Sequence, residues 1–230
     1  MLVLALDTST SIGGVCLLTR DSVVANRSFD SGVRHCQQLF VEIDEMCAVA
    51  GCEPNDVDLV ATTIGPGSFT GLRIGLAAAK GICFAAGKPL VAVPTLEVLA
   101  SRLPFSEQPV CAIIDARKNQ VYTATYDMTN LYPKELSPAR AVEPEALIAE
   151  FDHHVICTGN GAQVYAATLD QSPVVKQAPI HCSSMDAVPV GWLALRSFDD
   201  DQLADLDSVE PLYVRAPDAR HPRPTSLIRH

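Results

Sequence analysis

The 230-residue sequence is poor in several features, and each shortage closes a class of function. No apolar run approaches the roughly 20 residues that span a bilayer, so no membrane role is expected. Positive charge is the scarcer sign: 17 lysines and arginines against 27 acids give a net charge of −10 and a pI near 4.9. Phosphate backbones are gripped by a concentrated basic face, so this chain is not expected to hold nucleic acid alone. The eight cysteines contain no C-x-x-C pair and sit in apolar surroundings. That pattern reads as reduced, buried thiols of a cytosolic protein, not as disulfides or a zinc site. The six histidines form neither H-x-x-x-H nor H-E-x-x-H, and the adjacent His153 and His154 read as a solvated surface pair. The opening Met1-Leu2-Val3-Leu4-Ala5-Leu6-Asp7 lacks a basic stretch and meets an acid at once, so it reads as a strand and not a signal peptide.

Apolar residues are plentiful, at 48% with a mean hydropathy of +0.17, enough for one large domain or two small ones. Residues 2–6 and 13–18 read as a hairpin around the polar turn Asp7-Thr8-Ser9-Thr10-Ser11, with 23–29 as a third antiparallel strand. Leu39, Phe40, Ile43, Met46, Cys47 and Ala50 recur at helical spacing over 35–50, ended by Gly51. Strands follow at 59–64 and 90–93, and helices at 72–86 and 95–103. The second half repeats the opening: a strand at 110–114, the turn Asp115-Ala116-Arg117-Lys118-Asn119, and an alternating strand at 121–126. A helix is read at 144–151, a strand at 155–158, a turn at 159–162 and a late helix at 186–198. Leu6-Asp7-Thr8 and Ile114-Asp115-Ala116 occupy equivalent places, so the chain reads as a duplicated α/β unit whose two lobes face each other across a cleft. The lobes are expected at 1–104 and 105–215, with the end of the second packing back on the first. Residues 216–230 carry three prolines and no periodicity and read as a disordered tail.

The most informative stretch is Gly65-Pro66-Gly67-Ser68-Phe69-Thr70-Gly71-Leu72-Arg73-Ile74-Gly75, between a strand and a helix. It is no P-loop, because no Gly-Lys-Ser/Thr follows, and its G-x-G-x-x-x-G spacing is not a Rossmann fingerprint. A glycine-rich turn of this kind serves either to bring N–H groups to an anion or to let two helices approach. Gly71, Gly75 and Ala79 recur every four residues and would form one small-residue stripe.

The duplicated hairpin-and-turn pattern resembles the actin, sugar kinase and Hsp70 superfamily. Four segments together resemble the bacterial TsaB family: Ala5-Leu6-Asp7-Thr8-Ser9-Thr10, the 65–75 stretch, Ile114-Asp115-Ala116-Arg117 with Val121-Tyr122, and Glu210-Pro211-Leu212-Tyr213-Val214-Arg215. They run from the first strand to Arg215; the tail has no part in the match. His35-Cys36-Gln37 departs from the His-Ser-Glu-like run that family members often carry, which leaves detailed contacts at that end open.

The resemblance implies a two-lobed actin/sugar kinase/Hsp70-like, ribonuclease H-like α/β fold with mixed sheets flanked by helices. It implies a cytoplasmic, non-catalytic scaffold of the machinery that places threonylcarbamoyladenosine next to the tRNA anticodon. Its partner would be the catalytic paralogue TsaD as a heterodimer, with a homodimer when alone, a TsaE-type ATPase reached through the complex, and tRNA contacted only indirectly. ATP and magnesium would be used by the complex and not held tightly by this chain. TsaD holds a metal through two histidines at i and i+4 on a helix; the matching positions here are Thr95 and Leu99, flanking Glu97, and they cannot replace that pair. The interface is expected on N-terminal helices, at Leu39, Phe40, Ile43, Met46, Cys47, Gly71, Arg73, Ile74, Gly75, Ala78 and Ala79. A vestigial nucleotide cleft is expected at Asp7, Thr8, Ser9, Gly67, Asp115, Gly159 and Gly161, with Asx hydrogen bonds in the turns as the plainer account of the two acids.

Two other classes stay open at this point. One is an autonomous enzyme of the same fold, a small kinase or a peptidase, although His35 and His181 carry no recognisable triad signature. The other is a tRNA-binding subunit using the arginines at 215, 220, 223 and 229.

Overall fold

Two apolar segments, one near each end of the duplicated pattern, seed two sheets. The computed structural model describes residues 1–30 and 35–215, with side chains from 38 onward in the second span. The expected tail at 216–230 and the side chains of His35, Cys36 and Gln37 lie outside the described residues. In the first sheet β1 (Val3–Asp7) pairs antiparallel with β2 (Ile12–Leu18), which pairs with β3 (Val23–Asp30). On its other edge β1 pairs parallel with β4 (Leu59–Gly65), and β4 with β5 (Leu90–Pro94), giving the order β3-β2-β1-β4-β5. The second sheet has β6 (Val110–Arg117), β7 (Gln120–Asp127), β8 (Lys134–Val142), β9 (Val155–Thr158) and β10 (Val175–Gln177), in the order β10-β9-β6-β7-β8. Laying β6 on β1 superimposes the two orders, strand for strand and sense for sense. The fold is the duplicated, two-lobed α/β arrangement of mixed sheets and flanking helices.

β1 is buried along its length because both faces are covered. Successive side chains of a strand point to opposite faces. Leu4 and Leu6 therefore join Val15, Leu17 and Val60 beneath α1 (His35–Ala50) and α2 (Phe69–Ala86). Val3 and Ala5 point the other way, to a core shared with α3 (Thr95–Ala100), four short helices further on notwithstanding, and with the last helix. Those short helices are α4 (Pro144–Ala149), α5 (Asn160–Val164), α6 (Ala166–Leu169) and α7 (Ile180–Ser183), and the last is α8 (Ala187–Asp199). The core between the sheets also takes Val110, Ala112, Ile114, Ala124 and Tyr126 from β6 and β7.

The lobe boundary expected at 104/105 follows chain order but not packing. α8 belongs by sequence to the second lobe, yet it lies on β1, β2, β4 and β5. Gly191 makes this possible, since a Cβ there would run into Leu18 and come within 3.1 Å of Ala5. After α8 the chain stays on the first lobe: the Ala204 N–H donates to the Leu90 carbonyl, Lys80 Nζ to the Val209 carbonyl, and the Leu212 N–H to the Ile64 carbonyl at 2.7 Å.

Element limits differ from the sequence reading in instructive places. α2 begins at Phe69, three residues early, because Ser68 caps it by accepting from the Gly71 N–H. α3 ends at Ala100, where the chain turns. The expected turn at 159–162 is the entrance to α5. β8 escaped notice because an edge strand of sequence Lys-Glu-Leu-Ser-Pro-Ala-Arg-Ala-Val shows no apolar alternation. By length and composition α2 could cross a bilayer, but Leu72, Leu76, Ala79 and Cys83 are buried within its own lobe. The seven described cysteines are free, five of them buried, and burial pushes the Cys83 thiol up to about 11 and Cys16 to about 12.

Candidate partner face and interlobe cleft

The glycine-rich stretch joins β4 to α2, and its geometry shows what the glycines accommodate. The turn after β1 presses directly on the first two turns of α2. The Thr8 hydroxyl donates to the Gly71 carbonyl at 2.8 Å, and the Ser68 N–H donates to the Ser9 carbonyl at 2.7 Å. A Cβ at Gly71 would overlap the Thr8 carbonyl oxygen, one at Gly75 the Thr8 hydroxyl, and one at Gly67 the Ser9 carbonyl oxygen. The expectation that Gly71, Gly75 and Ala79 form a stripe for another subunit is thereby corrected. All three are buried, and the partner they admit is this chain's own β1–β2 turn.

Three N–H groups at this junction are engaged within the chain. The Ser68 N–H goes to Ser9, the Gly71 N–H to the Ser68 hydroxyl, and the Leu72 N–H to the Ser68 carbonyl. Asp7 is 1% exposed; its Oδ1 accepts from the Ser9 N–H at 3.1 Å and the Thr63 hydroxyl at 2.7 Å, while Oδ2 has no partner. Burial raises the Asp7 pKa, against the lowering effect of the Ser9 and Thr63 hydrogen bonds. Asp115 caps its own turn likewise, accepting from the Arg117 N–H at 2.9 Å, and ion-pairs with Arg117 at 3.6 Å. Gly159 and Gly161 lie against the end of β6, where Cβ atoms would meet the Ile113 carbonyl oxygen and the Ile114–Asp115 backbone. They mirror Gly67 and Gly71 in the other lobe.

Between the two turns lies a cleft with a cavity of about 340 Å3. Ser9, Thr10 and Ser11 line one wall, and Asp115, Arg117, Tyr122 and Asn160 the other. Of the seven residues expected there, Ser9, Gly67 and Asp115 line the space, whereas Asp7, Thr8, Gly159 and Gly161 do not. Thr95 and Leu99, the positions matching the metal-binding pair, are buried; the Thr95 hydroxyl accepts from the Gly65 N–H at 3.1 Å, and Leu99 is aliphatic. The residues present do not fit a metal, and no group of three His, Cys, Asp or Glu side chains close enough to hold one occurs among the described residues.

The expected interface residues divide cleanly. Leu39, Ile43, Met46, Cys47 and Ala78 are core, packed under the sheet with Leu4 and Leu17. Phe40 and Arg73 are exposed, and Ile74 is half-buried. Arg73 lies 3.8 Å from the centre of the Phe69 ring and donates from Nε to the Tyr213 hydroxyl at 2.9 Å. What the sequence reading missed is the outward face itself. On α1 the exposed side carries Phe40, Val41, Asp44, Glu45, Ala48 and Val49; on the adjacent α2 one exposed face carries Ala77, Gly81, Phe84 and Ala85. Phe84 is 87% exposed, and a Cβ on Gly81 would meet nothing within 4 Å. Reading the helix at 3.6 residues per turn from Arg73 through 77, 81 and 84 would have found it.

A model of the family described as TsaD, tRNA N6-adenosine threonylcarbamoyltransferase, matches residues 30–173. The chain is 28% identical over 225 residues to the tRNA threonylcarbamoyladenosine biosynthesis protein TsaB of Escherichia coli, covering 94% of this chain and 95% of that one. It is 39% identical to the Haemophilus influenzae TsaB over 121 residues, 52% of this chain and 51% of the other. Among solved structures, YeaZ from Pseudomonas aeruginosa superposes with a TM-score of 0.79 at 28% identity, over 92% of this chain and 99% of that one.

Proposed function

We propose, from the premise that this chain belongs to the TsaD family, tRNA N6-adenosine threonylcarbamoyltransferase, and is of the bacterial TsaB type, that it serves threonylcarbamoyladenosine formation in tRNA as a non-catalytic subunit. It binds the catalytic paralogue TsaD and supports its chemistry in the cytoplasm; a TsaE-type ATPase joins through that complex, and tRNA is met indirectly. The observation that carries the reading is the exposed apolar face of α2, beside α1. A glycine in the exposed middle of a helix lowers stability by about 1 kcal/mol relative to alanine, and nothing among the described residues needs Gly81 to be small. Beside it stands Phe84, almost wholly in water. A close-approaching helix from another subunit explains both. The same face would close a homodimer, so the two assemblies exclude each other.

The lack of chemistry at Thr95 and Leu99 supports a silent role. ATP and magnesium are assigned to the partner subunits; in support, the Ser68 and Ser9 N–H groups and both turn acids are engaged within the lobes. Titration calorimetry of the lone chain with ATP and magnesium should give no micromolar binding; such binding would favour a small kinase instead.

The decisive experiment is native mass spectrometry of the chain mixed with TsaD, using Gly81→Arg and Phe84→Glu. Both substitutions lie on the outer face and should leave the fold intact while cutting heterodimer formation at least tenfold. A wild-type chain that stays apart from TsaD sinks the reading, and so does unchanged assembly by both variants.

A further inference from the structure

Thr95 and Leu99 of α3 are buried; Glu97 is two residues from each, about 200° round the helix. It looks into a different cavity, of about 260 Å3. Pro66, Pro94, Leu96, Pro133, Ala139 and Leu212 give this pocket apolar walls, drawn from both lobes and from the C-terminal segment. Its polar groups are Glu97, Glu135 and the Tyr126 phenol. Tyr126 is 5% exposed, its ring set in the core between the sheets, and neither its hydroxyl nor the Glu97 carboxylate hydrogen-bonds another described residue. Arg196, whose charge acts on Glu97, is stacked 4.4 Å over Tyr132 and paired with Asp200 at 3.7 Å, and it does not line the pocket.

Buried polar groups ordinarily find partners; the buried Tyr126 has none for its hydroxyl among the described residues and opens on the cavity beside the half-buried Glu97 and the exposed Glu135, which points to a ligand. All three polar groups can accept, two are acids, and no cation lines the space; the ligand is therefore a cation and a hydrogen-bond donor. A bare metal ion would want more oxygen ligands and no apolar wall. A volume below the roughly 300 Å3 of small-molecule sites suits a single side chain. We propose that this pocket receives a lysine or arginine side chain of a partner protein, its aliphatic stem between the prolines and its charged head at Glu97, Glu135 and Tyr126. Charge complementarity favours such a partner, for the chain carries −10 overall. Long basic side chains bury their stems against apolar surface in this way. Burial raises the Glu97 pKa, opposed by Arg196 and aided by Glu135; a cation entering the pocket restores its charge. The inference does not depend on the reading of the α1–α2 face.

The test is an NMR titration of the full chain with acetyl-Gly-Lys-Gly-amide and acetyl-Gly-Arg-Gly-amide, with the norleucine peptide as the uncharged counterpart. Saturable shifts are expected at Glu97, Tyr126, Ala139 and Leu212 with the basic peptides only. Glu97→Gln should weaken binding about tenfold or more and Glu135→Gln to a smaller extent, while Glu150→Gln, remote from the pocket, changes nothing. The proposal fails if the norleucine peptide shifts the same signals equally, if no shift saturates, or if both pocket variants bind as wild type. It also fails if replacing Arg220, Arg223 and Arg229 by alanine moves those signals without peptide, since the occupant would then be this chain's own tail.

Discussion

The Thr8 hydroxyl donates to the Gly71 carbonyl at 2.8 Å, between two residues 63 positions apart. That bond clamps the β1–β2 turn onto the start of α2, and it explains why small residues recur there. The same turn also takes the Ser68 N–H, through the Ser9 carbonyl, and fills the space beside Gly71 and Gly75.

Gly75 should therefore be a stability position. In Gly75→Ala the new methyl must displace the buried Thr8 side chain. Overpacking of this kind costs about 1–3 kcal/mol, and at this chain length each kcal/mol lowers Tm by roughly 2–4 °C. Scanning calorimetry should show the loss with the monomer alone.

Gly81 should behave in the opposite way. Gly81→Ala meets open space in the single chain and relieves a mid-helix glycine, so at concentrations too dilute for self-association the monomer should gain about 1 kcal/mol. Urea titration of the two alanine variants side by side separates the inward from the outward face of α2. A destabilised Gly81→Ala would mean that the outer face is not free.

Asp7 sets a pH dependence of known sign. Its folded pKa lies above the ordinary 3.8 because burial disfavours the charge. The native state then binds more protons than the unfolded one, so this acid's contribution is fully present below about pH 3.8 and is lost as pH rises through the folded value. Asp7→Asn keeps an oxygen at the place that accepts from Ser9 and Thr63 and cannot ionise. Denaturation measured from pH 4 to 8 should show a flatter decline for the variant, and equal or greater stability at pH 7. A steeper decline than wild type would contradict the assignment.

The C-terminal segment is fastened at Tyr213. Its ring lies 5.2 Å from Phe69, and its hydroxyl accepts from Arg73. Tyr213→Ala removes both contacts, worth about 1 kcal/mol at such an exposed site. Hydrogen exchange at the Leu212 amide, bonded to the Ile64 carbonyl, should accelerate severalfold while amides of β1 stay protected. Unchanged exchange would place the anchoring elsewhere, at Ala204 or Val209.

Much of the site was legible because its signals are local. The Asx turns at Asp7 and Asp115 follow from a strand, an acid and a polar turn within five residues. Thr95 and Leu99 were legible as positions unable to hold a metal, because side-chain chemistry alone decides that. Leu39, Ile43, Met46 and Cys47 form an apolar helical face, and the periodicity shows that the face exists. It does not say whether the face meets the chain's own sheet or another molecule, since both are apolar surfaces with the same demand.

The sequence by itself determined the two repeated units, their paired acidic turns and the strand-to-helix junction at 65–75, because each rests on periodicity and turn chemistry within a few residues. Only the tertiary structure decided which way the junction's glycines face, that α8 crosses to the first sheet, and that Gly81 and Phe84 stand outward. Those outcomes depend on contacts between residues far apart in the chain: Thr8 with Gly75, Leu18 with Gly191, Ile64 with Leu212. Steric fit between such distant surfaces is settled by the packed whole, and no stretch of sequence encodes it alone.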